Sequence, residues 1–322
     1  MVTPVWNPYA RRFASSGFRY GKLPASSNCA KEYTSARPAA FHIAHDNPHF
    51  HRGKWHQPHR LSVPKNQSHG GGMLQLIYLI KHADNGDYIV KDYVGWFCMG
   101  GLFALGLAPV LIGLVYIYIR DKYESEPWRL LVIGVLVGAG LTAPIIWAST
   151  WLMRFLPVVG QVGEAFFTAF AVSSLVEEGL KFAALVILVW RNPNLNEPMD
   201  GIVYGVFISL GFAGVENILY IFNPQLGGME TAIARALVSV PSHGFFGIAM
   251  GYYFALAKFE PRRRARHMAA AFVSPYIIHG VYNFLLLSGQ AIFLIIFVPF
   301  IYIFWRKGLA QIRAHLEISP FK

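Results

Sequence analysis

From residue 95 to residue 305 the chain is a succession of apolar runs broken by short polar joints. Runs of about 20 apolar residues are the length of a helix that crosses a bilayer. The first run covers 95–119 and is closed by Arg120, Asp121 and Lys122; the second covers 128–147, with Pro144 predicting a kink near its end. A joint at 152–161 carries Arg154 and Pro157, and a third run follows at 165–190. A loop opened by Asn192-Pro193 leads to a fourth run at 200–222, and a second loop leads to a fifth at 231–257. The basic stretch 258–267 precedes a sixth run at 268–287, and the tight joint Ser288-Gly289-Gln290 leads to a seventh at 291–305. The seventh is short and is read as tilted or partly inserted. The pattern predicts an all-α, polytopic transmembrane helical bundle of about seven spans.

Composition narrows the class. Of the 322 residues, 54% are hydrophobic and only 14% charged, where a soluble chain carries about 25% charged residues. The net charge of +11 does not argue for nucleic acid. Much of it lies in residues 1–72, with ten Lys/Arg against Glu32 and Asp46, and in the single loop holding Arg262, Arg263, Arg264 and Arg266. Residues 1–72 show no apolar period and are rich in Pro, Ser, Gly and His. They read as a disordered extension, or as sequence preceding a true start at Met73. The histidines at 42, 45, 49, 51, 56 and 59 bind metal loosely at most. Residues 73–94 form a membrane-proximal segment, 95–305 the transmembrane core and 306–322 a tail. Cys29 and Cys98 suggest neither a disulfide nor a metal knot. Placing the 262–266 loop in the cytoplasm also places Arg191, the 120–129 loop and the tail with Arg306 and Lys307 there. Arg154 and Arg235 fall on the other side.

Four consecutive runs hold polar groups that are costly at membrane depth. Each has a reactive or notable residue followed by another four positions later: Glu177 with Lys181, Phe212 with Glu216, His243 with Gly247, His279 with Asn283. A spacing of four keeps each pair on one helical face. Glu178 lies three residues before the same lysine, and Asn217 follows Glu216. The small residues Gly211, Ala213 and Gly214 invite close approach of another backbone, and Pro241 predicts an irregular helix near His243. Lys181 is expected to pair with Glu177 and to leave Glu178 free. A desolvated carboxylate can activate water and return the proton to a leaving amine. Histidines or an asparagine can stabilise the oxyanion. The same side chains could instead hold zinc, or relay protons in an ion-coupled carrier; a network that merely holds helices together is the plain alternative. His-Glu-x-x-His, Gly-x-Ser-Gly and an intramembrane aspartate pair are all missing from the sequence. Asp200, at the start of its run, reads as a helix cap.

The motifs Glu177-Glu178-x-x-Lys181, Phe212-x-x-x-Glu216-Asn217, His243-x-x-x-Gly247 and His279-x-x-x-Asn283, in order on successive runs, resemble those of the PrsW intramembrane proteases. That family is related to the CAAX-prenyl endopeptidases and bacteriocin-processing membrane proteins. The resemblance spans 95–305 and does not reach the N-terminal segment. It implies a bacterial cytoplasmic-membrane endopeptidase that cuts a single-span, membrane-anchored protein of the anti-sigma-factor kind. Carried onto this chain, Glu177, Glu178, Glu216, His243 and His279 are the catalytic set, and Lys181, Asn217 and Asn283 support them. Family members are often labelled metalloproteases, whereas the prenyl endopeptidases are understood as metal-free. A glutamate mechanism without cofactor is expected here, with Glu178 as general base. Zinc on Glu178, Glu216, His243 and His279 is the alternative. Glu216 stands where the prenyl endopeptidases usually have histidine, which argues against prenylated substrates.

Overall fold

In lipid each backbone N–H and C=O must be satisfied inside its own segment, so an apolar run has little choice but to be helical. The structure, a computed structural model, describes residues 88–322, with side chains from Met99 onward, and no strand occurs among the described residues. Residues 1–72 and the start of the membrane-proximal segment, with their histidines, lie outside the described residues.

Among the described residues ten α-helices follow in order: α1 Tyr88–Arg120, α2 Trp128–Gly140, α3 Thr142–Leu152, α4 Gln161–Phe167, α5 Leu175–Val189, α6 Pro198–Ile221, α7 Met229–Ala234, α8 Val240–Phe259, α9 Arg264–Leu287 and α10 Ala291–Glu317. Six helical runs among the described residues are long and apolar enough to cross a membrane. The run 161–189 is of comparable length, but Glu177, Glu178 and Lys181 interrupt its apolar character. With it the bundle has about seven spans.

Two expectations meet the backbone differently. The second run is interrupted at Leu141, one turn before Pro144; proline has no N–H to give the carbonyl four residues earlier, so the break falls there. The last helix does not stop near Trp305 but continues to Glu317, because Arg306, Lys307 and Arg313 are good helix formers and do not break it.

The core is α6. Of its apolar window 83% is buried, against 17% for Met99–Arg120 and 11% for α10, whose outer faces are left for lipid. Glycines make this packing close. A Cβ built at Gly247 of α8 would lie 2.7 Å from the Gly205 carbonyl oxygen of α6, so the two backbones touch where neither residue has a side chain. Gly211 does the same against Val135 of α2, at 2.2 Å from its carbonyl oxygen, as the small-residue run 211–214 predicts.

Two stretches widen to π-helical turns, Thr168–Ser174 before α5 and Arg235–Ser239 before α8. Their causes are local. Pro241 cannot donate to the Leu237 carbonyl, and Ser242 Oγ bonds Val238 O at 2.7 Å. In the other stretch Thr168 Oγ1 bonds Glu164 O at 2.8 Å, while Ser149 Oγ of α3 supplies Val172 O at 3.1 Å. Such widened turns recur at functional sites, and here each ends just before a polar motif.

Candidate active site

The motif helix α5 places Glu177 and Glu178 on either side of Lys181, and all three side chains are buried. Lys181 Nζ lies 2.9 Å from Glu178 Oε1 and 3.5 Å from Glu177 Oε2. The expected pairing with Glu177 is present but is the longer of the two, and Glu178, expected to be free, is the closer partner. Sequence spacing permits either acid. The tertiary fold decides, because His279 Nδ1 of α9 also reaches Glu178 Oε1, at 2.8 Å. Glu177 turns instead toward Ser173, whose hydroxyl donates to its Oε1 at 2.9 Å. The ring of Phe212 lies under the ammonium, 4.3 Å from Nζ, which accounts for an aromatic residue one turn before Glu216.

Lys181 also reaches His243 Nδ1 at 3.3 Å. An ammonium only donates, so Nδ1 accepts and the proton sits on Nε2. That proton points at Glu216 Oε2, 3.0 Å away. Arg235 closes this end: its Nη2 is 2.8 Å from Glu216 Oε2, its Nε donates to Asn217 Oδ1 at 2.9 Å, and it stacks on Tyr220 at 4.0 Å. Asn217 Nδ2 donates to the Gly106 carbonyl at 2.8 Å, so this asparagine ties α6 to α1 and holds Arg235 in place. At the other end Asn283 Nδ2 lies 3.0 Å from His279 Nε2 and 2.8 Å from Ser173 Oγ. The eight residues singled out from sequence thus form one connected polar network, with the histidine rings 5.4 Å apart.

A cavity of about 390 Å³ opens beside the network. Glu177, Glu216, His243, His279 and Asn283 line it, whereas Glu178 and Lys181 stand behind the wall. Its remaining surface is mostly apolar, with Met153, Val238, Leu286 and Phe297. The second and last spans therefore contribute to the walls along with the third to sixth.

Sequence reading missed two members, Arg235 and Ser173. An arginine inside an apolar run is a signal in itself, and Ser173 precedes Glu177 by the same four-residue spacing as the other pairs. Both were legible.

Among the described residues, acidic and histidine side chains gather in two groups whose ligand atoms are close enough for one ion: Glu177, Glu178 and His243, and separately Asp121, Glu197 and Asp200. In the first group the central position is filled by Lys181 Nζ, within 3.5 Å of an atom from each of the three. The four-residue zinc set fits no better. Glu178 Oε1 is taken by Lys181 and His279 Nδ1, and His243 Nε2 faces Glu216. Catalytic zinc needs three free protein ligands, and with Lys181 in place these residues do not supply them.

The family model for the PrsW family intramembrane metalloproteases matches residues 126–305. The chain belongs to that family. It is 35% identical over 221 residues to Protease PrsW of Clostridioides difficile, covering 68% of this chain and 92% of the relative. Protease PrsW of Bacillus subtilis is 34% identical over 222 residues, covering 69% and 98%. The Geobacillus kaustophilus protein of the same name is 40% identical over 192 residues, covering 60% and 82%. No solved structure matches the chain. Bacterial relatives and the long apolar helices make this an integral membrane protein of bacterial type.

Proposed function

We propose that the chain is an intramembrane endopeptidase in which Glu177, rather than Glu178, activates the water. One observation carries the choice: both acids have a buried Oε2 with no hydrogen-bond partner, but only Glu177 lines the cavity. Glu178 is held by Lys181 and His279 and does not face the cavity. Glu177 takes a proton from water, the hydroxide oxygen attacks the scissile carbonyl, and the proton then passes to the leaving amine as the C–N bond breaks. Charge growing on the carbonyl oxygen is met from the same wall by the His243 Nε2–H and by Asn283 Nδ2, which exchange their resting acceptors, Glu216 and the Ser173 hydroxyl, for it. His279, with Nδ1–H on Glu178 and Nε2 accepting from Asn283, positions that asparagine. Lys181 and Glu178 position this wall without touching substrate.

The mechanism needs no metal, because the cation between the acids is the protein's own ammonium. The substrate is a single-span membrane protein of the anti-sigma-factor kind, a reading that rests on family membership. The carrier reading draws no support from that match. The basic loop 262–266 and the C-terminus lie in the cytoplasm.

The test is cleavage of a single-span substrate by purified protein. Glu177→Gln is expected to lower the rate by about 10²–10⁴-fold, the usual worth of a general base, with the fold kept. Undiminished cleavage by that variant would sink the assignment. A stoichiometric zinc whose removal abolishes cleavage, and whose return restores it, would overturn the metal-free chemistry alone.

A further inference from the structure

The loop after α1 and the start of α6 bring together side chains that the catalytic network does not use. Asp121, Glu126, Glu197 and Asp200 are buried, and among the described residues no Lys, Arg or His pairs with any of them. Each acid has one oxygen engaged by a donor. Asp200 Oδ2 accepts the backbone N–H groups of Asn196 and Glu197 at 2.8 and 2.7 Å, as a helix cap does. Asp121 Oδ2 accepts the Glu126 N–H at 3.4 Å, Tyr204 donates to Glu126 Oε2, and Ser319 donates to Glu197 Oε2. The second oxygens, Asp121 Oδ1, Glu197 Oε1 and Asp200 Oδ1, are buried with no hydrogen-bond partner, and so is Asn196 Oδ1.

Four buried carboxylates without a counter-charge are too costly to leave as they stand. The positive end of α6 offers only about half a unit of charge. One ligand atom each from Asp121, Glu197 and Asp200 lie within 4.8 Å of one another, the span of two Ca–O bonds of about 2.4 Å. All the donors are oxygens, which selects hard cations over zinc.

We propose that Asp121, Glu197 and Asp200, completed by Asn196 and water, bind one hard divalent cation of the calcium or magnesium class. The site is separate from the catalytic cavity. Asp200 and Glu216 share α6 and stand roughly 24 Å apart at 1.5 Å per residue. The ion clamps the α1–α2 loop and the start of α6, with Ser319 beyond α10 holding Glu197. Chelators then weaken the fold without removing a catalytic metal. The proposal does not depend on the protease reading.

The full-length chain in detergent, stripped with chelator, is titrated calorimetrically with calcium and with magnesium, and its melting is followed in parallel. A single saturable site with Kd of roughly 10⁻⁵–10⁻³ M is expected for at least one ion, together with a rise in Tm. Asp121→Asn with Asp200→Asn removes both effects, and Glu197→Gln, a milder change, weakens binding at least about tenfold because affinity follows ligand charge. Glu177→Gln leaves binding intact. Lack of binding and of any Tm change in the stripped wild type means that the carboxylates share protons, and overturns the proposal. Binding that survives in the Asp121/Asp200 double variant, or is lost in Glu177→Gln, overturns it as well.

Discussion

Lys181 is the residue on which the site turns. Its ammonium touches both acids, His243 and the Phe212 ring, and none of it reaches solvent. Removing one member of a buried ion cluster leaves the others uncompensated, at a cost of about 3–5 kcal/mol. Lys181→Ala is therefore expected to lower Tm steeply and to abolish cleavage. Lys181→Arg keeps the charge but places a planar fork where a compact ammonium fits, so it rescues neither fully. Thermal melting and the cleavage assay check this; an alanine variant as stable and active as the parent would show the ammonium to be dispensable. The helical spacing of Glu177, Glu178 and Lys181 was legible in the sequence. Which acid the lysine favours was not, because that depends on His279, 101 residues away from Glu178 along the chain.

Among the elements, the α6–α8 contact determines how closely the motifs can approach. Gly247→Ala puts a Cβ 2.7 Å from the Gly205 carbonyl oxygen and 2.8 Å from Val206 Cα, both of them backbone atoms. The helices must part, at a cost of about 1–3 kcal/mol, and His243, one turn away, shifts with them. A lower Tm and slower cleavage are expected. Gly244→Ala on the same helix is the control, since its Cβ meets only a Leu210 methyl at 3.6 Å. There the better helix propensity of alanine should hold or raise Tm. Equal behaviour of the two variants would remove the packing argument. The widened turns before α5 and α8 were half legible. Pro241 announced the second, one turn before itself, whereas the first depends on Ser149 reaching Val172 from another helix.

For the whole molecule, the pairing of Arg235 with Glu216 sharpens the orientation. A buried, neutralised arginine no longer counts among loop charges, which leaves Arg154 as the one arginine or lysine opposing the basic joints in the transmembrane core. A reporter fused after Lys322 should report a cytoplasmic C-terminus, and a cysteine introduced at Arg154 should react with an impermeant reagent added from outside. Labelling of the 262–266 loop from outside instead would reverse the topology.

The sequence alone determined that the chain crosses a membrane as an all-helical bundle, because apolar run length and backbone satisfaction in lipid leave no other fold. It also determined which side chains are too expensive at that depth to be idle, so the polar set could be read from four short motifs. Tertiary structure decided which acid faces the cavity and that Arg235 closes the network. It also decided that Lys181 fills the place where a metal would sit. These outcomes depend on differences of an ångström or so in side-chain approach between helices distant in sequence, and a periodicity of 3.6 residues fixes a face but not what the facing helix brings to it.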